Sequence, residues 1–217
     1  NDGDRNNFSA IGSSEVERTG GLIQVAMGLS HGCGITPNGR VWCWGSNTER
    51  QAPAGNLPMP PTQVDFAGMN DAAYASNPFV SVHAAATHSC ARQQQGQVWC
   101  WGLNADGALG LGATGVGTPT DPERLQNPNT NTDLITEAFW TGARNSCAML
   151  NQAYFCWGHG NNLGSLTHAQ RNQINLSEHV RHPRQAGAPL SPGGELVIGR
   201  KHVCALDNEQ RAWCWGD

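Results

Sequence analysis

Lysine is almost missing from this chain: Lys201 is the single one, against twelve arginines and a formal net charge of −4. No run of basic residues forms, so the electrostatic footprint of a nucleic-acid binder is absent and nucleic acid is not an expected partner. Also absent are an apolar stretch of the roughly 18 residues that a membrane-spanning helix needs and a charged-then-apolar leader at the start. The chain opens at Asn1, which fits either a removed leader or a piece cut from a longer chain. There is no Gly-x-Ser-x-Gly elbow, no phosphate-binding loop and no His-Glu-x-x-His. Asp2, Asp4, Asp106 and Asp121 fall in turn-like segments without calcium-loop spacing. These absences predict a protein that is not an enzyme, with no catalytic residues, no cofactor and no metal.

What the chain has in plenty is glycine, 27 residues, with 12 prolines, the balance of a turn-rich all-β protein. Its eight cysteines fall into a beat. Cys33, Cys90, Cys147 and Cys204 stand 57 residues apart, and each is followed 9 or 10 positions later by Cys43, Cys100, Cys156 or Cys214 and then Trp-Gly. Such a period marks one supersecondary unit per repeat, stacked so that neighbours bury each other's apolar faces. The expected division is an N-terminal segment over 1–20 that completes a blade, then repeats at about 21–77, 78–134, 135–191 and an incomplete 192–217. No C-x-x-C zinc spacing occurs, so one disulfide within each repeat is the economical reading, and it implies an oxidising compartment, secreted or at the cell surface.

A turn at Pro37-Asn38-Gly39 sits midway between Cys33 and Cys43, which predicts a hairpin with the cysteines opposite each other. The other repeats turn near Gly96, at Asn151-Gln152 and through Asp207-Asn208-Glu209. Side chains alternate across a strand, so the cysteine of Trp42-Cys43-Trp44 faces one way and both indoles the other, toward a neighbouring sheet. The same holds for Trp99 and Trp101, Phe155 and Trp157, and Trp213 and Trp215, the expected inter-blade packing set.

A short apolar strand precedes each first cysteine and ends on a small residue: Gly28, Ala85, Gly142 or Gly199. His31, His88 and His202 follow, with Asn145 in the equivalent place, and they read as structural turn residues held by hydrogen bonds. The regions after Trp-Gly, 46–78, 103–137 and 159–194, read as long polar loops in which Pro61 to Val64, Pro122 to Leu125 and Val180 supply a fourth strand.

These units resemble the repeats of the regulator of chromosome condensation family. The second matches through His88-Ser89-Cys90-Ala91, Val98-Trp99-Cys100-Trp101-Gly102, Asn104, Gly107, Leu109 and Gly110, and the fourth through His202 to Leu206 and Ala212 to Gly216. With its paired cysteines the chain reads as a secreted, bacterial-type, disulfide-containing variant. The resemblance implies a β-propeller-type array of about four four-stranded blades, where family members usually have seven. Three arrangements stay open: a ring closed by the chain's own N-terminus, with a strand through Glu15-Val16; a fragment of a longer array; or a blade completed by a neighbouring molecule.

Family members act as recognition platforms, so the expected function is an extracellular, non-catalytic module that binds a protein or a glycan through loops. Phe66, Tyr74, Arg124, Arg171 and Arg181 are its candidate contact residues. The alternative is a self-assembling subunit of an extracellular filament or sheath, joined head to tail by strand complementation of the incomplete terminal blade. Two sequons, at Asn7 and Asn175, could carry glycans.

Overall fold

The structure is a computed structural model, and it describes residues 14–18, 20–52, 59–104, 107–111, 118–127, 130–150, 153–158, 196–199, 202–206 and 209–216. Nearly all regular structure in them is antiparallel β. The first sheet runs β1 (Gln24–Met27), β2 (His31–Ile35), β3 (Val41–Gly45) and β4 (Met59–Gln63), in that spatial order. The second repeats it with β5 (Phe79–Ala84), β6 (His88–Gln93), β7 (Val98–Leu103) and β8 (Pro119–Arg124). Three strands each are described for the third sheet, β9 (Ala138–Thr141), β10 (Asn145–Leu150) and β11 (Ala153–Gly158), and for the fourth, β12 (Leu196–Ile198), β13 (His202–Leu206) and β14 (Ala212–Gly216). The expected fourth strands are thus present as β4 and β8, while Val180 lies outside the described residues. Among the described residues the sheets are not closed into a ring.

Register is fixed identically in all four units, because each cysteine pair sits directly across one strand pair: Cys33 opposite Cys43, Cys90 opposite Cys100, Cys147 opposite Cys156 and Cys204 opposite Cys214. All four pairs are disulfide-bonded and no cysteine is free. In the first turn Thr36 Oγ1 donates to Asn38 Oδ1 at 2.6 Å and Gly39 takes a φ of 74°, a value that suits glycine.

The Trp-Gly dipeptide has a backbone reason. Gly45, Gly102 and Gly158 all have φ between 93° and 109°, and a Cβ on Gly102 would lie 2.6 Å from the Thr87 carbonyl and 2.7 Å from His88 Cα. No side chain fits where the third strand of a unit crosses the start of its second.

Two sequence expectations are corrected. Glu15 and Val16 lie in a short helix, α1 (Ser14–Arg18), where a blade-completing strand was expected. The helix formers Glu15, Glu17 and Arg18 favour the turn, and Gly20 and Gly21, with φ of 91° and 80°, end it. Residues 1–13, including the Asn7 sequon, lie outside the described residues, as does the Asn175 sequon.

The second correction concerns the 46–78 region, which is not simply polar loop. It contains a second helix, α2 (Asp71–Ser76), capped by Asn70, whose side-chain oxygen accepts from the Ala73 amide at 2.9 Å. Its Val64, Phe66 and Tyr74 are buried in the core between the first two sheets.

Candidate interaction scaffold between the sheets

The cores lie in the gaps between sheets, and every gap has the same sense. In the first gap the face of sheet one that carries the Cys33–Cys43 disulfide, with Ile35 and Val41, meets the face of sheet two that carries Val82, Ala91, Trp99 and Trp101. In the second gap Cys90, Val98 and Cys100 meet Phe139, Ala148, Phe155 and Trp157. In the third, Cys147, Met149 and Cys156 meet Leu196, Val203 and Ala205. Each disulfide face therefore packs on the indole face of the next sheet, as the period-two alternation requires.

Polar groups repeat this direction. Asn47 Oδ1 accepts from the Ala52 amide at 2.9 Å, and Asn104 Oδ1 from the Leu109 amide at 3.0 Å, so each folds its post-Trp-Gly loop back on itself. The folded loops present the carbonyls of Gln51 and Ala108, 57 positions apart, to the next sheet. There Trp101 Nε1 donates to Gln51 at 2.9 Å and Trp157 Nε1 to Ala108 at 3.0 Å. A buried indole N–H needs such a partner.

The histidines open the second strands instead of sitting in turns. His31 Nε2 shares a 2.8 Å hydrogen bond with Ser89 Oγ of the next sheet, and His88 Nε2 approaches Ser146 Oγ at 3.5 Å. Because Ser146 donates its proton to the Ala108 carbonyl at 2.9 Å, the bond from His88 runs from Nε2–H to Oγ. Burial pushes the His31 and His83 imidazoles down to about 4, and burial with the neighbouring His31 charge pushes His88 to about 3, so all three are neutral near pH 7.

A histidine and a serine at 2.8 Å form half of a nucleophile-base arrangement, but Ser89 is sealed between the Cys33 sulfur, 3.5 Å away, and the imidazole. These pairs clasp sheets together. Gly28 leaves room for the His31 ring, since a Cβ on it would lie 2.7 Å from Nδ1, and Gly142 does the same for Asn145.

The expected contact residues divide. Phe66 is fully buried, with ring centroids 4.4 Å from Phe79, 5.3 Å from Trp99 and 5.6 Å from Trp101, so it is core and no loop contact. Tyr74 is buried too, under the Arg40 guanidinium, which lies 4.5 Å above its ring and pairs with Asp71. Both corrections have one cause: a lone aromatic in a polar stretch carries no periodicity to reveal its face. Arg124 is half-exposed, stacked 4.8 Å over Trp99 and paired with Asp133 at 2.9 Å. Arg171 and Arg181 lie outside the described residues.

Of the expected packing aromatics, Trp42, Trp99, Trp101, Phe155 and Trp157 are buried and Trp44 is partly exposed, while the side chains of Trp213 and Trp215 lie outside the described residues. Sequence reading missed the carbonyls of Gln51 and Ala108 and the hydroxyls of Ser89 and Ser146. Their 57-residue spacing was the available signal. Among the described residues no group of three or more His, Cys, Asp or Glu could hold a metal, and no helix is long and apolar enough to cross a membrane.

The regulator of chromosome condensation (RCC1) repeat matches at residues 22–51 and 80–108, and a second description of the same repeat matches at 95–148. Those stretches therefore carry repeats of the regulator of chromosome condensation type. The chain is similar to the human probable E3 ubiquitin-protein ligase HERC6, at 26% identity over 200 residues, 89% of this chain but 18% of that protein.

The RCC1-repeat fold is shared with Prp20p of Saccharomyces cerevisiae (TM-score 0.67, 20% identity, 90% of this chain and 44% of that one). It is shared as well with the ectodomain of the Arabidopsis thaliana receptor kinase ACR4 (TM-score 0.52, 20% identity, 91% and 54%). This RCC1-repeat chain thus spans less than a fifth of HERC6 and about half of each solved structure.

Proposed function

We propose that this RCC1-repeat chain is a non-catalytic recognition module of an oxidising, extracellular setting, holding a protein or a glycan with the loops that leave its stacked sheets. The observation that carries the reading is that the repeated polar groups are consumed inside the gaps. His31, His88, Ser89 and Ser146 hold one sheet to the next and are buried, which leaves the segments that differ between repeats as the variable outer surface.

Four internal disulfides support the compartment. The receptor-kinase ectodomain offers an extracellular precedent for the fold, and Prp20p, which shares it, has binding properties toward Gsp1p and histones. Arg124, a cationic side chain half-exposed beside a Trp, is the described candidate best suited to a contact.

The test couples redox state to binding. Protein secreted into an oxidising compartment should carry no alkylatable thiol, and on a glycan array and a panel of purified surface proteins it should show saturable binding that Arg124→Ala weakens about tenfold, on the order of 1.4 kcal/mol. Free thiols in the folded protein, or an array and panel with no saturable ligand, overturn the reading.

A further inference from the structure

The gap rule leaves one face of each kind open. At equivalent positions on the indole faces, Val82, Phe139 and Leu196 of sheets two, three and four are 1%, 3% and 2% exposed, because the preceding disulfide face covers them. Val25, the equivalent in sheet one, is 49% exposed, its neighbour Met27 is 62% exposed and Trp44 beside them is partly exposed. Trp42, on the same face, is buried, so the open part is the patch formed by Val25, Met27 and Trp44.

The opposite face of sheet four mirrors this. Cys33, Cys43, Cys90, Cys100 and Cys147 are fully buried under a following sheet and Cys156 is partly buried there, whereas in sheet four Cys204 is partly buried and Cys214 is exposed. Val197 on that face is 60% exposed, where Ala26, His83 and Trp140 are partly covered.

We infer that this protein self-associates head to tail, the disulfide face of sheet four in one copy seating on the Val25–Met27–Trp44 patch of sheet one in the next. The occupant is specified from inside the molecule. Among the described residues the indole face is covered in three gaps, each time by a disulfide face, and the disulfide face left open is that of sheet four. The two apolar patches are of different kinds, so the contact is heterologous: it closes a ring where the rotation per copy allows and otherwise propagates. It differs from strand addition at a sheet edge, since it joins side-chain faces and needs no new backbone ladder. It also stands apart from loop-mediated recognition, and the absence of any array ligand leaves it untouched.

Sedimentation velocity on the intact, oxidised protein tests it with two variants at exposed positions, Met27→Asp and Val197→Asp. Wild type should grow beyond the monomer with concentration through the micromolar range. Each variant alone should stay monomeric, one lacking a usable sheet-one face and the other a usable sheet-four face. Mixed in equal amounts, they should form a discrete dimer through the two remaining intact faces, and Met27→Asp with Val197→Asp in one chain should abolish it. Retained disulfides and an unchanged unfolding midpoint show that each variant is folded. A monomeric wild type, a variant that assembles alone, or a mixture that sediments as the sum of its parts overturns the inference.

Discussion

The first two gaps and the third are built on the same plan, but differ in how their buried polar groups end. In the first two a histidine crosses to a serine, His31 to Ser89 and His88 to Ser146. In the third, Asn145 stands in the histidine's place and Val203 in the serine's, and neither the side-chain oxygen nor the nitrogen of Asn145 has a partner among the described residues. Indole hydrogen bonds to loop carbonyls add to the first two gaps, and the corresponding groups of the third lie outside the described residues. The difference teaches that the apolar match of disulfide face to indole face is enough to stack a sheet, while the polar clasp is an addition that comes as a pair or is lost as a pair. An unpaired buried amide costs about 1–3 kcal/mol.

The largest way to break the comparison is to remove an indole from a closed gap. Trp101→Ala should lose about 3–5 kcal/mol, since a fully buried ring and its bond to Gln51 both go. Trp44→Ala, at the partly exposed equivalent in sheet one, should lose less than half as much. Urea unfolding of the two oxidised variants checks the ranking, and equal losses would mean that the gaps contribute little.

Acid should separate the gaps next. The folded-state values of His31 and His88 lie below the ordinary 6.5, so the unfolded chain takes up protons first; stability is full above about pH 6.5 and falls as the pH drops toward 4. By pH 5 each imidazole should cost up to about 2 kcal/mol. His83, partly covered beside Phe139 with ring centroids 6.0 Å apart, adds to the same slope. Asn145 does not titrate, so His88→Asn should flatten the pH dependence of the unfolding midpoint, and an unchanged slope would show that His88 is already solvated.

The smallest effect sharpens the contrast by installing the missing clasp. Asn145→His alone should destabilise by about 1–2 kcal/mol because its ring would face Val203, and adding Val203→Ser should recover about 1 kcal/mol. A double-mutant cycle with no coupling between the two would show that the third gap is spaced differently from the others.

How much of this was legible follows from periodicity. The cysteine beat at 57 residues gave the hairpin register, the disulfides and the opposition of sulfur and indole faces, because period-two alternation is strictly local. What lay beyond reach depended on contacts across a gap. Nothing local says that Ser89 answers His31, or that a carbonyl at Gln51 answers Trp101. Phe66 and Tyr74 were misplaced for a related reason: the stretch from Val64 to Ser76 differs in composition from its counterpart after sheet two, so no internal copy marked it as core. The helix over Glu15 and Val16 was hidden because a five-residue segment carries too few positions to show either period.

The loop fold held by Asn47 and Asn104 has a further consequence. The second unit carries its donor indole, Trp101, on one side and its acceptor carbonyl, Ala108, on the other, so a copy of that unit arrives with both halves of a joint already cut to fit its neighbours. Duplicating that unit would then require no compensating change elsewhere, and cohesion would grow by a similar increment with each copy of it added.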